Sequence, residues 1–259
     1  MKIVVPVKYV PEPTATWSFG ADLLLDRGAV EGRLSELDEY AVEQAVRLVE
    51  GGLDAEIVAL TVGPAKATDA LRKALAMGAT SGVHVLDDAI RGSDAMATSL
   101  VLAKAIEHTG FDLVVCGMAS TDAEMSVVPA MVAARLNVPQ VTFAAVLSVA
   151  DAVVTIRRDG DTATEQITAP LPALVSVTDQ TGEARYPAFK AIMASKKKPV
   201  QTLSLADLGI APNEVGFDAA ASRVRSLSPR PPRQAGTVVV DEGEGASQIA
   251  DFLAARGFI

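Results

Sequence analysis

Few side chains in this sequence could do covalent chemistry. Cys116 is the only cysteine, and the only histidines, His84 and His108, are far apart. One thiol allows neither an intramolecular disulfide nor a cysteine-based metal cluster, and two separated histidines make a histidine-rich metal site unexpected. Cys116 closes the apolar run "DLVVC", which suits a buried thiol. What remains is the stretch "GMASTDAEMS", Gly117 to Ser126. There Gly117 permits a close backbone approach, while Ser120, Thr121 and Ser126 offer hydroxyls to a phosphate or ribose. In an open α/β sheet, ligands sit beyond the carboxyl ends of the strands, where the N–H groups of helix N-termini face outward. A blander reading stands beside this one. Thr121 and Glu124 have capping-box spacing and would simply close the next helix, and the carboxylates of Asp122 and Glu124 would repel a phosphate. Neither a Walker A motif nor GxGxxG at the first strand is present, so common phosphate-loop and Rossmann chemistry is excluded.

A second stretch, "ARYPAFKAIMASKKKP" from Ala184 to Pro199, suits contact more than catalysis. Pro187 can start a helix, and Phe189, Ile192 and Met193 then share one face. Such a stripe commonly packs into a core. Here Arg185, Lys190, Lys196, Lys197 and Lys198 surround it, which is awkward for burial and natural for an exposed docking patch. From Arg185 to Arg233 nine Lys or Arg face three Asp or Glu, a local +6; against −9 for the whole chain this leaves −15 elsewhere. A basic island in an acidic protein suits the steering of acidic partners.

These stretches need elements to hold them. Among 259 residues, 49% are hydrophobic and only 4% aromatic, which gives a large aliphatic core. The acidic balance argues against sequence-independent nucleic-acid binding. The opening "MKIVVPVKYV" is too short for a signal peptide or membrane span, and no later run reaches membrane-spanning length; a cytoplasmic protein without membrane insertion is expected.

"KIVVPV", "AEIVALTVG", "GVHVLD" and "DLVVCG" read as strands buried on both faces. Between them "SELDEYAVEQAVRLVEGG", with Ser35 and Asp38 in capping-box spacing, "ATDALRKALAMG" and "SDAMATSLVLAKAIEHTG" read as helices ending in Gly. The expected fold is α/β: a mostly parallel sheet with helices on both faces. After Pro139 successive strands with turns at Asp151 and at Asp159 to Asp161 predict an antiparallel extension. The basic, Pro- and Ser-rich tail with its last helix "ASQIADFLAARGFI" predicts an extended C-terminal arm. Residues 1–228, including the segment 184–199, would form the α/β domain and 229–259 the arm, whose buried contacts on another surface would be Phe252, Leu253 and Phe258.

"SELDEYAVEQAVRL", "GPAKATDALRKALAMGA", "LPALVSVTD" and "RYPAFKAIMASKKKP" together resemble the electron transfer flavoprotein beta subunit, from Met1 into the C-terminal arm. The resemblance implies a heterodimer with an alpha subunit that holds most of the FAD. It implies a structural AMP in the beta subunit and a loop that recognises flavin dehydrogenases before electrons pass to an acceptor oxidoreductase. Redox chemistry would then belong to the flavin, with no catalytic residue supplied by this chain.

Carried over by residue, the nucleotide is expected near Pro6, Ser35, Asp38, Val62 and the loop Gly117, Ser120, Thr121, Asp122, Ala123, Glu124, Met125, Ser126, Val127 and Val128. The docking segment carries Tyr186, Phe189, Ile192, Met193, Lys196, Lys197 and Lys198, with Phe189 as the inserted anchor. Some family members hold a second FAD in place of AMP. The first half also resembles, at fold level only, nucleotide-sensing regulatory proteins of the universal-stress type, which would have little use for the Phe189 stripe.

Overall fold

The structure is a computed structural model that describes residues 1–232 and 236–259; residues 233–235 of the expected arm lie outside them. By contacts the chain divides into two units, Met1–Arg225 and Ser226–Ile259.

The first unit opens with β1 (Lys2–Pro6), β2 (Tyr9–Pro11), β3 (Gly32–Leu34), α1 (Glu36–Glu50), β4 (Glu56–Val62), α2 (Thr68–Met77) and β5 (Ser81–Val85). It continues through α3 (Ala95–Thr109), β6 (Leu113–Gly117), α4 (Val128–Leu136), β7 (Gln140–Ala144), β8 (Val146–Ala150), β9 (Val153–Asp159), β10 (Thr164–Pro170), β11 (Ala173–Val177), α5 (Phe189–Ser195), β12 (Val200–Leu203) and α6 (Gly216–Ala219). Seven strands form one sheet in the order β12-β5-β4-β1-β6-β11-β7, and all pairings in it are parallel.

The strands read as buried on both faces are so because side chains alternate between two helix layers. Ile3 and Val5 of β1 pack with Ala41, Val42 and Ala45 of α1 and Leu71 and Ala74 of α2. Val4 packs on the other face with Val101 and Ala105 of α3 and Val132 of α4. Alanine-rich helices can approach the sheet closely, which the small core residues of α1 and α2 allow.

Helix ends obey local chemistry in some places and not in others. Asp94 caps α3 by accepting the Ala97 N–H at 3.0 Å, and Asn137 ends α4 in the left-handed region at φ 53°. The Ser35–Asp38 capping box does not form: Ser35 is the N-cap of α1, yet neither it nor Asp38 caps the helix by side chain. Likewise α4 starts at Val128 rather than at the Thr121–Glu124 signature. Glu124 and Ser126 sit at φ 51° and 54°, left-handed values that no helical turn contains.

Antiparallel strands follow Pro139, as expected. They form a separate three-stranded sheet, β10-β9-β8, while β7 and β11 join the parallel sheet. β11 inserts between β6 and β7.

The second unit, 226–259, contains α7 (Gly245–Ala255), preceded by a turn in which Asp241 accepts the N–H groups of Gly243 and Gly245. Phe252 and Phe258 are exposed and Leu253 half-buried in this chain. Among the described residues no helix is long and apolar enough to cross a membrane.

Candidate functional site

From β1 the chain moves outward through β4 to β5, and then crosses to β6 on the opposite side of β1. At such a reversal two neighbouring loops leave in opposite directions and open a crevice at the strands' carboxyl ends. A cavity of about 300 Å³ lies there, at the lower end of the ~300–1,000 Å³ range of small-ligand sites. Its walls come from the end of β1 (Pro6, Val7, Lys8), Val62 of β4, the start of α3 (Ser93, Asp94, Ala95, Thr98) and the loop from Cys116 to Pro129.

Of the residues expected at a nucleotide, Pro6, Asp38, Val62, Gly117, Ser120, Ala123, Met125, Ser126 and Val128 line this cavity. Ser35, Thr121, Asp122, Glu124 and Val127 do not. Ser35 is fully buried behind it, and its hydroxyl accepts the Thr121 N–H at 3.4 Å. Thr121 Oγ1 is buried with no hydrogen-bond partner among the described residues.

Gly117 is needed here for a different reason than ligand approach. A Cβ on it would stand 2.6 Å from the Leu37 carbonyl oxygen and 2.7 Å from Asp38 Oδ1, so the close contact it permits is that of β6 with the first turn of α1. That packing sets Asp38 against the cavity wall. Its Oδ2 accepts the Lys8 N–H at 2.8 Å. Burial pushes the Asp38 carboxyl up to about 7, against the pull of that N–H and of the Lys8 charge. Burial, aided by the nearby Asp38 carboxylate, also pushes the Cys116 thiol up, so this cavity-lining sulfur stays protonated.

Asp122, a carboxylate expected to repel a phosphate, is bound up in two ion pairs. Its side chain is fully buried, and its two oxygens are held separately, Oδ1 by Lys8 Nζ at 2.7 Å and Oδ2 by Arg27 Nε at 3.0 Å. Burial alone would raise its pKa, but the Lys8 and Arg27 charges hold the carboxyl below its ordinary value. Both cations line the cavity. Glu124 is exposed and outside it.

Lys8, Arg27 and the α3 start were missed at the level of sequence. Lys8 could have been found, since it follows the first strand at its carboxyl end. Arg27 lies in an irregular loop 95 residues from its carboxylate.

On the segment 184–199, Tyr186, Phe189, Ile192 and Met193 are all exposed, Phe189 by 78%. The stripe is therefore not core. α5 rests on α2 through buried Ser195, and Arg72 Nη1 donates to the Ser195 and Lys198 carbonyls at 2.8 and 3.3 Å.

The surrounding charges divide in two. Arg185 is pinned to α1, donating from Nε to Glu43 at 2.7 Å and from Nη1 to Glu50 at 2.6 Å. Lys198 Nζ donates to the Leu75 and Ala79 carbonyls at the end of α2, at 2.8 and 2.6 Å. These two fasten the segment and are not part of a free basic rim. Lys190, Lys196 and Lys197 are exposed, and Lys73 stands 4.8 Å from the centre of the Tyr186 ring.

A family model described as "Electron transfer flavoprotein domain" matches residues 22–208. The "Electron transfer flavoprotein subunit beta" of Mycobacterium leprae (strain TN) is 42% identical over 266 aligned residues, covering 99% of each chain. The protein of the same description from Mycobacterium tuberculosis (strain ATCC 25618 / H37Rv) is 41% identical over the same span, again with 99% of both chains covered.

Proposed function

Given that the chain belongs to the electron transfer flavoprotein family, as a beta subunit whose partner is an alpha subunit, we propose that the two form a cytoplasmic electron carrier. In it FAD is held mainly by the alpha subunit. Electrons arrive from flavin dehydrogenases, such as acyl-CoA dehydrogenases, and leave to a respiratory-chain acceptor. The near full-length identity to beta subunits carries this reading, and the regulatory nucleotide sensor gives way to it.

The cavity fits a structural AMP. It lies at the strand-order reversal, is largely apolar, and presents the hydroxyls of Ser120 and Ser126 with two cations; the loop walling it keeps one buried hydroxyl, that of Thr121, unpartnered. The flavin supplies the redox chemistry when bound. This chain's own residues bind the nucleotide, brace the alpha subunit and present α5, with Phe189 as the ring offered to a dehydrogenase.

Co-expression with an alpha subunit tests the whole reading. The expected product is a yellow heterodimer that a flavin dehydrogenase reduces and that releases stoichiometric AMP on heating. A second FAD in place of AMP would reassign the cavity, and a colourless chain that recruits no flavin-bearing partner would defeat the electron-carrier reading.

A further inference from the structure

The cavity has one pole rich in unused donors. Asp122 ties together two cations from distant parts of the chain, and the small number of acceptors there leaves both incompletely bonded. Arg27 spends Nε and Nη2 on a single oxygen, Oδ2 of Asp122; its Nη1 has no protein partner among the described residues. Lys8 Nζ reaches Asp122 Oδ1 at 2.7 Å and the Ser120 hydroxyl at 3.2 Å, which leaves a third donor. Two cations on one carboxylate make this cluster a net +1, and the carboxylate is fully buried while Lys8 and Arg27 are 38% and 40% exposed.

The acidic groups of the lining, Asp94 and Asp38, are already engaged. Asp94 accepts from Ala97 N, Ser222 N and Ser222 Oγ, and Asp38 accepts from Lys8 N. An anion entering the cavity finds hydroxyl donors on several walls, but among the described lining residues the cationic donors are Lys8 and Arg27 alone, and charge-assisted hydrogen bonds in a partly dry site are strong. The guanidinium fork suits phosphate oxygens better than any other side chain.

We propose that Arg27, acting with Lys8 across the Asp122 carboxylate, is the specificity residue that reads the phosphate of the nucleotide, so that the cavity takes a nucleoside monophosphate in preference to the bare nucleoside. The inference rests on the nucleotide reading above and adds to it the residue that discriminates. Arg27 comes from the loop joining β2 to β3, residues 12–31. A bound phosphate thus also fastens that loop to the one that follows β6.

The test uses the FAD-loaded heterodimer, stripped of nucleotide and titrated with AMP and with adenosine. The wild type should prefer AMP by at least tenfold, the scale of a charge-assisted pair. Arg27→Gln should bring the ratio close to unity by weakening AMP alone, with adenosine affinity unchanged. Arg27→Lys keeps the ion pair to Asp122 and should retain part of the preference, which covers the case of a Gln variant that fails to fold. Equal weakening of AMP and adenosine would make Arg27 a purely structural strap, and an unchanged ratio would place phosphate recognition elsewhere; either overturns the assignment while the nucleotide reading stands. A wild type that binds neither compound removes both.

Discussion

Replacing Phe189 with Ala separates a docking ring from a packing ring, because the two roles put the cost in different states. Full burial of a Phe side chain is worth about 1.5–3 kcal/mol, and Phe189 in the free chain is 78% exposed. Roughly a fifth of that value, about 0.5 kcal/mol, is all the folded chain has to lose. The remainder, about 2 kcal/mol, is realised only if a partner encloses the ring, and at 1.4 kcal/mol per decade it corresponds to roughly 30-fold in affinity or second-order rate. The assay is stopped-flow reduction of the FAD-loaded heterodimer by a flavin dehydrogenase at rising dehydrogenase concentration, with thermal unfolding alongside. The expected variant unfolds within a degree or two of wild type, keeps its flavin, and is reduced more slowly at limiting concentration. Rates within twofold of wild type in a folded flavoprotein would refute docking through this ring, and a loss of many degrees in unfolding temperature would refute the bookkeeping of its exposure.

The neighbouring charges should sort by their partners. Lys196→Gln with Lys197→Gln should flatten the ionic-strength dependence of that rate and leave stability alone, since exposed charges act through steering. Lys198→Gln should instead cost stability, about 1–2 kcal/mol, because two carbonyls at the end of α2 lose their donor; thermal unfolding reads it. Arg185→Ala should cost about 2–3 kcal/mol, chiefly by leaving the nearly buried Glu43 carboxylate with fewer donors, and should hasten proteolysis between Glu183 and Pro199. For Asp38 the folded pKa of about 7 lies above the ordinary value of 3.8, so the native state binds the extra proton between them. Its contribution to stability is therefore full below about pH 4, falls as pH rises to about 7 and is flat beyond. Denaturant unfolding of Asp38→Asn should lack this slope, and the pH-dependent difference should grow by up to roughly 4 kcal/mol over the window.

Where adjacent residues decide the outcome, the sequence is legible. The runs at β1, β4, β5 and β6 have no polar alternation because both faces meet helices, and the Asp94 and Gly51 helix ends follow ordinary local chemistry. Legibility fails where a short pattern competes with a long-range contact. Ser35 and Asp38 have cap spacing, yet Asp38 serves the Lys8 N–H and Ser35 the Thr121 N–H. Thr121 and Glu124 have it too, but Asp122 between them is drawn inward by Lys8 and Arg27, and the backbone at Glu124 and Ser126 turns left-handed. In the same way Arg185 and Lys198 look like part of one basic rim until Glu43, Glu50 and the end of α2 are brought to them. The cavity was foreseen at the strand-end loop, but its cations were not.

The insertion of β11 between β6 and β7 sets an order of events in time. β7 has no partner in the large sheet except β11, and β11 lies some thirty residues further on. As the chain leaves the ribosome, β6 can settle beside β1 while β7 waits with both edges unpaired. Meanwhile β8, β9 and β10 can pair by local turns alone, and Ala145, directly after β7, is tied to the Arg157 carbonyl of β9 by a 2.7 Å hydrogen bond. The small sheet thus acts as a temporary holder for the waiting strand. A nascent chain halted before Ala173 would lack the middle of three adjacent strands, and the edges of β6 and β7 would be open to pairing with another molecule.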